Sequence, residues 1–276
     1  MYRFLLSRSW VFLTLLGLAV IPGMVELGNW QLHRHQYRVA GNAIVAAGLK
    51  AAPVPVESLA RPGAALPRRH LYRTVTAEGR YDTAHEVVAR RRTDADGRRI
   101  GYHVITPLLL TGGRSVLVDR GWIPAGDDLT AFPPIPRPAP GRVTVTGRLR
   151  PDETAAATGI RDRHGLPPRQ ISLISGTLAT RRIRGDVLGG YLELIGTVPG
   201  PAGPQPQLIP EPDHSGVGPH LAYAVQWWLF AALVPVGWVV LVRRQRAEIL
   251  AARAKGGGEG GAGNGGGDGY SAALAL

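Results

Sequence analysis

LAYAVQWWLFAALVPVGWVVLV, residues 221–242, is a run of 22 residues without a formal charge. At about 1.5 Å of rise per residue it makes about 33 Å of helix, enough to cross a hydrocarbon layer of about 30 Å. No water reaches the backbone inside that layer, so the segment must satisfy its own N–H and C=O groups, and a helix does so. Pro235 is a kink that a spanning helix tolerates. Arg243, Arg244 and Arg246 follow directly, while Glu211 and Asp213 precede. Basic residues stay on the cytoplasmic side, which puts the end of this span in the cytoplasm.

A partner span lies near the other end. Residues 10–27 read WVFLTLLGLAVIPGMVEL, with one late acid, Glu26, and make about 27 Å of helix. This run exceeds the h-region of a cleaved signal peptide, about 7–15 residues, and no small-x-small cleavage site follows it. Two retained spans bring both termini to one side. The expected organisation is a cytoplasmic N-terminus (1–9), a first transmembrane helix (10–27), an extracytoplasmic domain (28–220), a second transmembrane helix (221–242) and a cytoplasmic basic segment with a disordered Gly-rich tail (243–276).

Composition removes several function classes. There is no Cys among the 276 residues, so disulfides, thiolate-held iron–sulfur clusters, zinc–thiolate sites and thiol redox chemistry are all excluded. The formal net charge is +12. Residues 28–220 hold 25 of the 32 Lys and Arg and 16 of the 20 acids, and Lys50 is the only Lys among them. Aromatic-interleaved basic motifs and helix-turn-helix patterns are missing, so nucleic acid is not an expected partner.

The domain between the spans reads as β. Apolar–polar alternation or compact apolar runs occur at 71–78, 85–91, 100–110, 115–119, 142–150 (RVTVTGRLR), 169–174 and 191–198, with turns such as TDADG at 93–97 between them. A short helix is expected near 177–184. Pro-rich stretches at 124–140 and 199–212 read as extended connectors. The fold class expected is membrane α+β: two transmembrane helices flanking an extracytoplasmic, mostly antiparallel, barrel-like β domain with one or two short helices.

No GxSxG, GxGxxG, Walker loop or HExxH is present, which argues against an enzyme. His70, His103, His164 and His214 have no partner that sequence can name. The ends of the two spans are different. His220 stands at the mouth of the second, with Tyr223 and Trp227 at helical spacing. They read either as an interfacial belt of polar-tipped rings or as a niche in which a neutral imidazole ligates haem iron. The first span exits through Gly28, Trp30, Gln31 and Arg34, and antiparallel spans bring these toward His220. Arg34 suits a carboxylate or a haem propionate. In the domain, Arg120, Gly121 and Trp122 read chiefly as scaffold, Gly121 permitting a tight strand exit.

Four motifs in order resemble the surfeit locus protein 1 family of cytochrome oxidase assembly factors. GNWQLHR at 28–34 is similar to G-x-W-Q-x-x-R, GYHVITPL at 101–108 to G-x-x-v-x-T-P-L, VDRGWIP at 118–124 to V-[ND]-R-G-W-[VI]-P, and HLAYAVQW at 220–227 to H-x-x-Y-A-x-[QT]-W. Tyr37, residues 150–169 and the Gly-rich tail depart from the family pattern. The resemblance implies a two-pass protein of a bacterial cell membrane, working with cytochrome c oxidase subunit I and other assembly factors. It also implies haem a as cofactor, with His220 as suspected axial ligand; from their places at the span mouths, Tyr223 and Trp227 are then expected to border the ring and Arg34 to meet a propionate. No other metal is implied. The alternative is a cofactor-free scaffold that stabilises a subunit I intermediate.

Overall fold

The computed structural model describes residues 2–163, 165–180, 183 and 185–258, with side chains to Arg253. His164, part of the expected helix at 177–184 and the tail beyond 258 lie outside the described residues. The chain divides into two compact units: residues 1–37 with 218–276, and residues 38–217.

The first unit is a helix pair. Helix α1 runs Arg8–Lys50 and its last turns enter the second unit; helix α4 runs His220–Gly258. Both are long and apolar enough to cross a membrane by length and composition. Both outrun the apolar stretches from which sequence infers them, because α1 continues unbroken through residues 28–50 as a polar helix. Pro22 and Pro235 sit inside the helices. Tyr2–Arg246, Thr14–Trp238, Gly17–Val234, Gly28–Trp228 and Gln31–His220 meet in opposite chain order, so the pair is antiparallel.

The second unit is a β-barrel-like sheet. Its strands are β1 (Val54–Pro55), β2 (Thr74–Tyr81), β3 (Val87–Thr93), β4 (Ile100–Leu110), β5 (Ser115–Pro124), β6 (Val143–Arg150), β7 (Gln170–Ile171) and β8 (Val187–Val198). Two one-turn helices, α2 (Ala155–Thr158) and α3 (Gly176–Ala179), lie between β6 and β8. The order is β1-β2-β6-β8-β5-β4-β3-β7, and β2 also pairs with β4, so the five strands β2, β6, β8, β5 and β4 form a closed ring. Closure removes the free edges that an open sheet would present.

Five of the pairings are antiparallel, as expected. The short β1 and β7 join in parallel, and so does the central pair β5–β8, with Leu117 opposite Tyr191 and Asp119 opposite Glu193. Parallel neighbours need a long crossover, and here the chain from 125 to 186 supplies it.

Strand periodicity divides the side chains between two faces. Val75, Leu108, Val116, Val118, Val145, Leu149 and Leu192 fill the barrel interior. Ile105, Leu117 and Tyr191 belong to an outer cluster completed by Ile174 and Ile183 from the crossover. With both faces covered, β5 is buried from Ser115 to Ile123 and shows no alternation.

Candidate functional site

The antiparallel helix pair positions the first cluster. Gly28 and Gln31 are one turn apart on α1 and face the same way. A Cβ at Gly28 would sit 2.5 Å from Trp228 Cδ1 and closer still to its Nε1, so only glycine admits the indole there. One turn on, Gln31 Oε1 lies 2.9 Å from His220 Nδ1. Further down the pair, Trp238 Nε1 donates to Thr14 Oγ1 at 3.0 Å.

The seam of α4 runs through His220, Ala224 and Ala231, the last two being buried. His220 itself is half-buried. Its Nε2 edge lies beside Gly218, whose φ of +69° suits glycine; a Cβ there would come within 3.4 Å of Cδ2 and 3.5 Å of Nε2.

The other expected members stand outside this contact. Tyr223 is 46% exposed and Trp30 57% exposed. Trp227 packs edge-on against Phe230 at 6.2 Å. Arg34 is exposed, and no carboxylate pairs with it among the described residues. His35, one turn beyond Gln31, buries an Nδ1 that has no hydrogen-bond partner among the described residues.

Arg120, Gly121 and Trp122 lie in the barrel unit and form a second, separate cluster. Arg120 is almost wholly buried and donates to Glu86 Oε2 (2.9 Å), Pro136 O (2.6 Å) and Gln205 Oε1 (2.9 Å). Glu86 also accepts from Thr106 Oγ1 at 2.6 Å. Burial depresses the Arg120 guanidinium below its ordinary range, while Glu86 and Tyr81 pull it back up. Gly121, at φ +123°, lets the segment around Gln207 lie flat on β5: a Cβ would sit 2.8 Å from the Gln207 carbonyl carbon. Trp122 exchanges backbone hydrogen bonds with Gln207 and donates its indole N–H to Arg92 O at 3.0 Å. The three residues clamp both Pro-rich stretches onto the barrel.

A polar rung crosses the outer face of the barrel, and sequence gave little sign of it. Arg148, Glu193 and Asp119 are neighbours on β6, β8 and β5, and His103 Nδ1 reaches Asp119 Oδ2 at 2.8 Å. Glu193 takes Arg148 Nε at 3.2 Å and pairs with Arg150. Burial pushes the Glu193 carboxyl up, against the pull of Arg150 and Arg148. Arg148 also donates to Ile209 O at 2.6 Å, tying the second Pro-rich stretch to the same rung. The sequence signal was Arg148 and Arg150 at alternate positions late in β6 and Glu193 as the lone charge of β8. His85 and Glu86, adjacent in sequence, diverge: His85 pairs with Asp82 at 2.6 Å and Glu86 with Arg120.

Comparison with known proteins adds an independent finding. The model of the SURF1 family matches residues 18–232, from within α1 through the barrel and into α4, so Gly28, Gln31, Arg120 and His220 all fall inside it. Uncharacterized SURF1-like proteins of Mycobacterium bovis and Mycobacterium tuberculosis are each 31% identical to this chain over 244 residues, covering 85% of it and 83% of their own length.

Proposed function

The chain belongs to the SURF1 family, which implies a part in cytochrome oxidase assembly, and from that premise we propose a membrane-anchored carrier that holds haem a on His220 for delivery to oxidase subunit I. The two helices would span the membrane. Outward-facing Phe12, Leu15, Leu18, Leu229, Leu233 and Val236 are exposed along them, an arrangement that water penalises and lipid does not. The basic residues after the second apolar run would hold both termini in the cytoplasm, with the barrel on the opposite side.

The observation that carries the cofactor reading is the state of the His220 ring. Its Nδ1 is engaged by Gln31, and its Nε2 edge lies where Gly218 has no side chain. That donor chemistry would suit haem iron: an imidazole offering one lone pair, its other nitrogen held by a hydrogen bond. Trp227 and Tyr223, further along α4, would border the ring, and the exposed Arg34 would be available to a propionate. Haem a, when bound, would be cargo for the oxidase, and this chain's share of the chemistry is to bind it, orient it and keep it from water.

Purification from cells that make haem a tests this directly. The wild type is expected to carry about one haem per chain, seen in the visible spectrum, and His220→Ala to lose it. A colourless wild type that still supports oxidase assembly would replace the carrier with a cofactor-free scaffold acting on a subunit I intermediate.

A further inference from the structure

We propose that Gln31 is a positioning residue that fixes the tautomer of His220, keeping the proton on Nδ1 and the lone pair on Nε2. This deepens the carrier reading above and rests on it.

A carboxamide oxygen accepts hydrogen bonds and cannot donate. With Gln31 Oε1 toward His220 Nδ1 at 2.9 Å, the contact is a hydrogen bond when the ring proton sits on Nδ1; the amide turned over would instead donate to a bare Nδ1, and the two arrangements give opposite tautomers. A neutral imidazole without that partner shares its proton between the two nitrogens, and a proton on Nε2 blocks ligation there. The local sequence builds the contact. Gly28 lets the helices close on the Trp228 indole, and the three-residue step to Gln31 carries its amide to the start of α4, where His220 is the first residue. Gly218, held in the left-handed region at φ +69°, lies beside the Nε2 edge and sets no side chain against it. One nitrogen is thus held and the other presented. The two glycines of this arrangement and Gln31 serve one purpose: they define which atom of a single imidazole faces a ligand. Hydrogen-bond partners of this kind typically change the affinity of a ligating histidine 10- to 100-fold.

The test uses the full chain in lipid nanodiscs, labelled with 15N-histidine and free of haem, at a pH where the imidazoles are neutral. Long-range proton–nitrogen correlation spectra report which ring nitrogen is protonated, and the signal absent from His220→Ala identifies His220. The wild type is expected in the Nδ1–H form. Gln31→Leu should shift His220 toward the Nε2–H form, and Gln31→Glu, which retains an acceptor, should restore the wild-type pattern. A wild type in the Nε2–H form, or an unchanged Gln31→Leu spectrum, overturns the proposal. Far-UV circular dichroism confirms that each variant keeps its helices.

Titration of the same samples with haem a separates this proposal from the one beneath it. Gln31→Leu is expected to bind roughly 10- to 100-fold more weakly, and Gln31→Glu to recover the affinity with a lowered reduction potential. If His220→Ala keeps its haem, the carrier reading falls and the role of Gln31 toward iron falls with it. If His220→Ala loses haem while Gln31→Leu binds as the wild type does, only the positioning role is overturned.

Discussion

At residue 28 the side chain is a hydrogen atom, and the indole of Trp228 fills the space that any larger group needs. Gly28→Leu therefore forces the helices apart, at a cost of about 1–3 kcal/mol if they stay paired. Because the chain has no cysteine, Gly17→Cys combined with Val234→Cys supplies the only thiols. Oxidative cross-linking between them should be efficient with Gly28 present and fall sharply with Gly28→Leu. Gly23→Ala, where nothing lies within 4 Å, should leave it unchanged. Gly28, Gln31 and His220 stand out in the sequence, but their partners do not. Contacts between residues 189 positions apart depend on the register of two helices, and a single sequence does not encode that register locally. Helical spacing groups His220 with Tyr223 and Trp227, whereas the packed seam follows Ala224 and Ala231, because small side chains are what allow two backbones to approach.

Among the elements, β5 shows where strand reading stops short. Alternation ends at Asp119 in the sequence, yet the strand continues to Pro124, because Asp119 on the outer face meets His103 and Arg120 on the inner face meets Glu86, so both charges are buried with partners. A buried ion pair deprived of one member costs about 3–5 kcal/mol, as the remaining charge is left without solvent or counterion. Arg120→Leu takes the close partner from Glu86, leaving it the Thr106 hydroxyl and Arg169 at 3.9 Å, and frees Pro136 and Gln205. It should lower the melting temperature of the full chain in detergent by several degrees. Arg142→Ala, which removes an exposed pair with Glu78, should cost no more than about 1 kcal/mol and move the melting temperature far less. The antiparallel strands were legible from alternation and turns. The β5–β8 pairing was not, since parallel contact across a 60-residue crossover has no short-range signature, and β8 begins at Val187, earlier than its alternation suggests.

For the whole molecule, the sharpest expectation concerns which side of the membrane each part occupies. Fusions of a cytoplasm-active reporter to either terminus should be active, and a periplasm-active reporter inserted in the exposed turn around Asp96 should be active as well. An externally active reporter at the C-terminus would reverse the assignment. The two helices belong to one unit although they lie at opposite ends of the sequence, with the barrel as the chain that joins them. That arrangement imposes an order on biosynthesis. The first helix leaves the ribosome long before its mate, so Gln31 must wait without its histidine while some 180 residues are made. The imidazole follows the barrel. On the carrier reading, a chain cut short of residue 220 would have no imidazole to offer, so uptake of haem would report that the barrel has already been made.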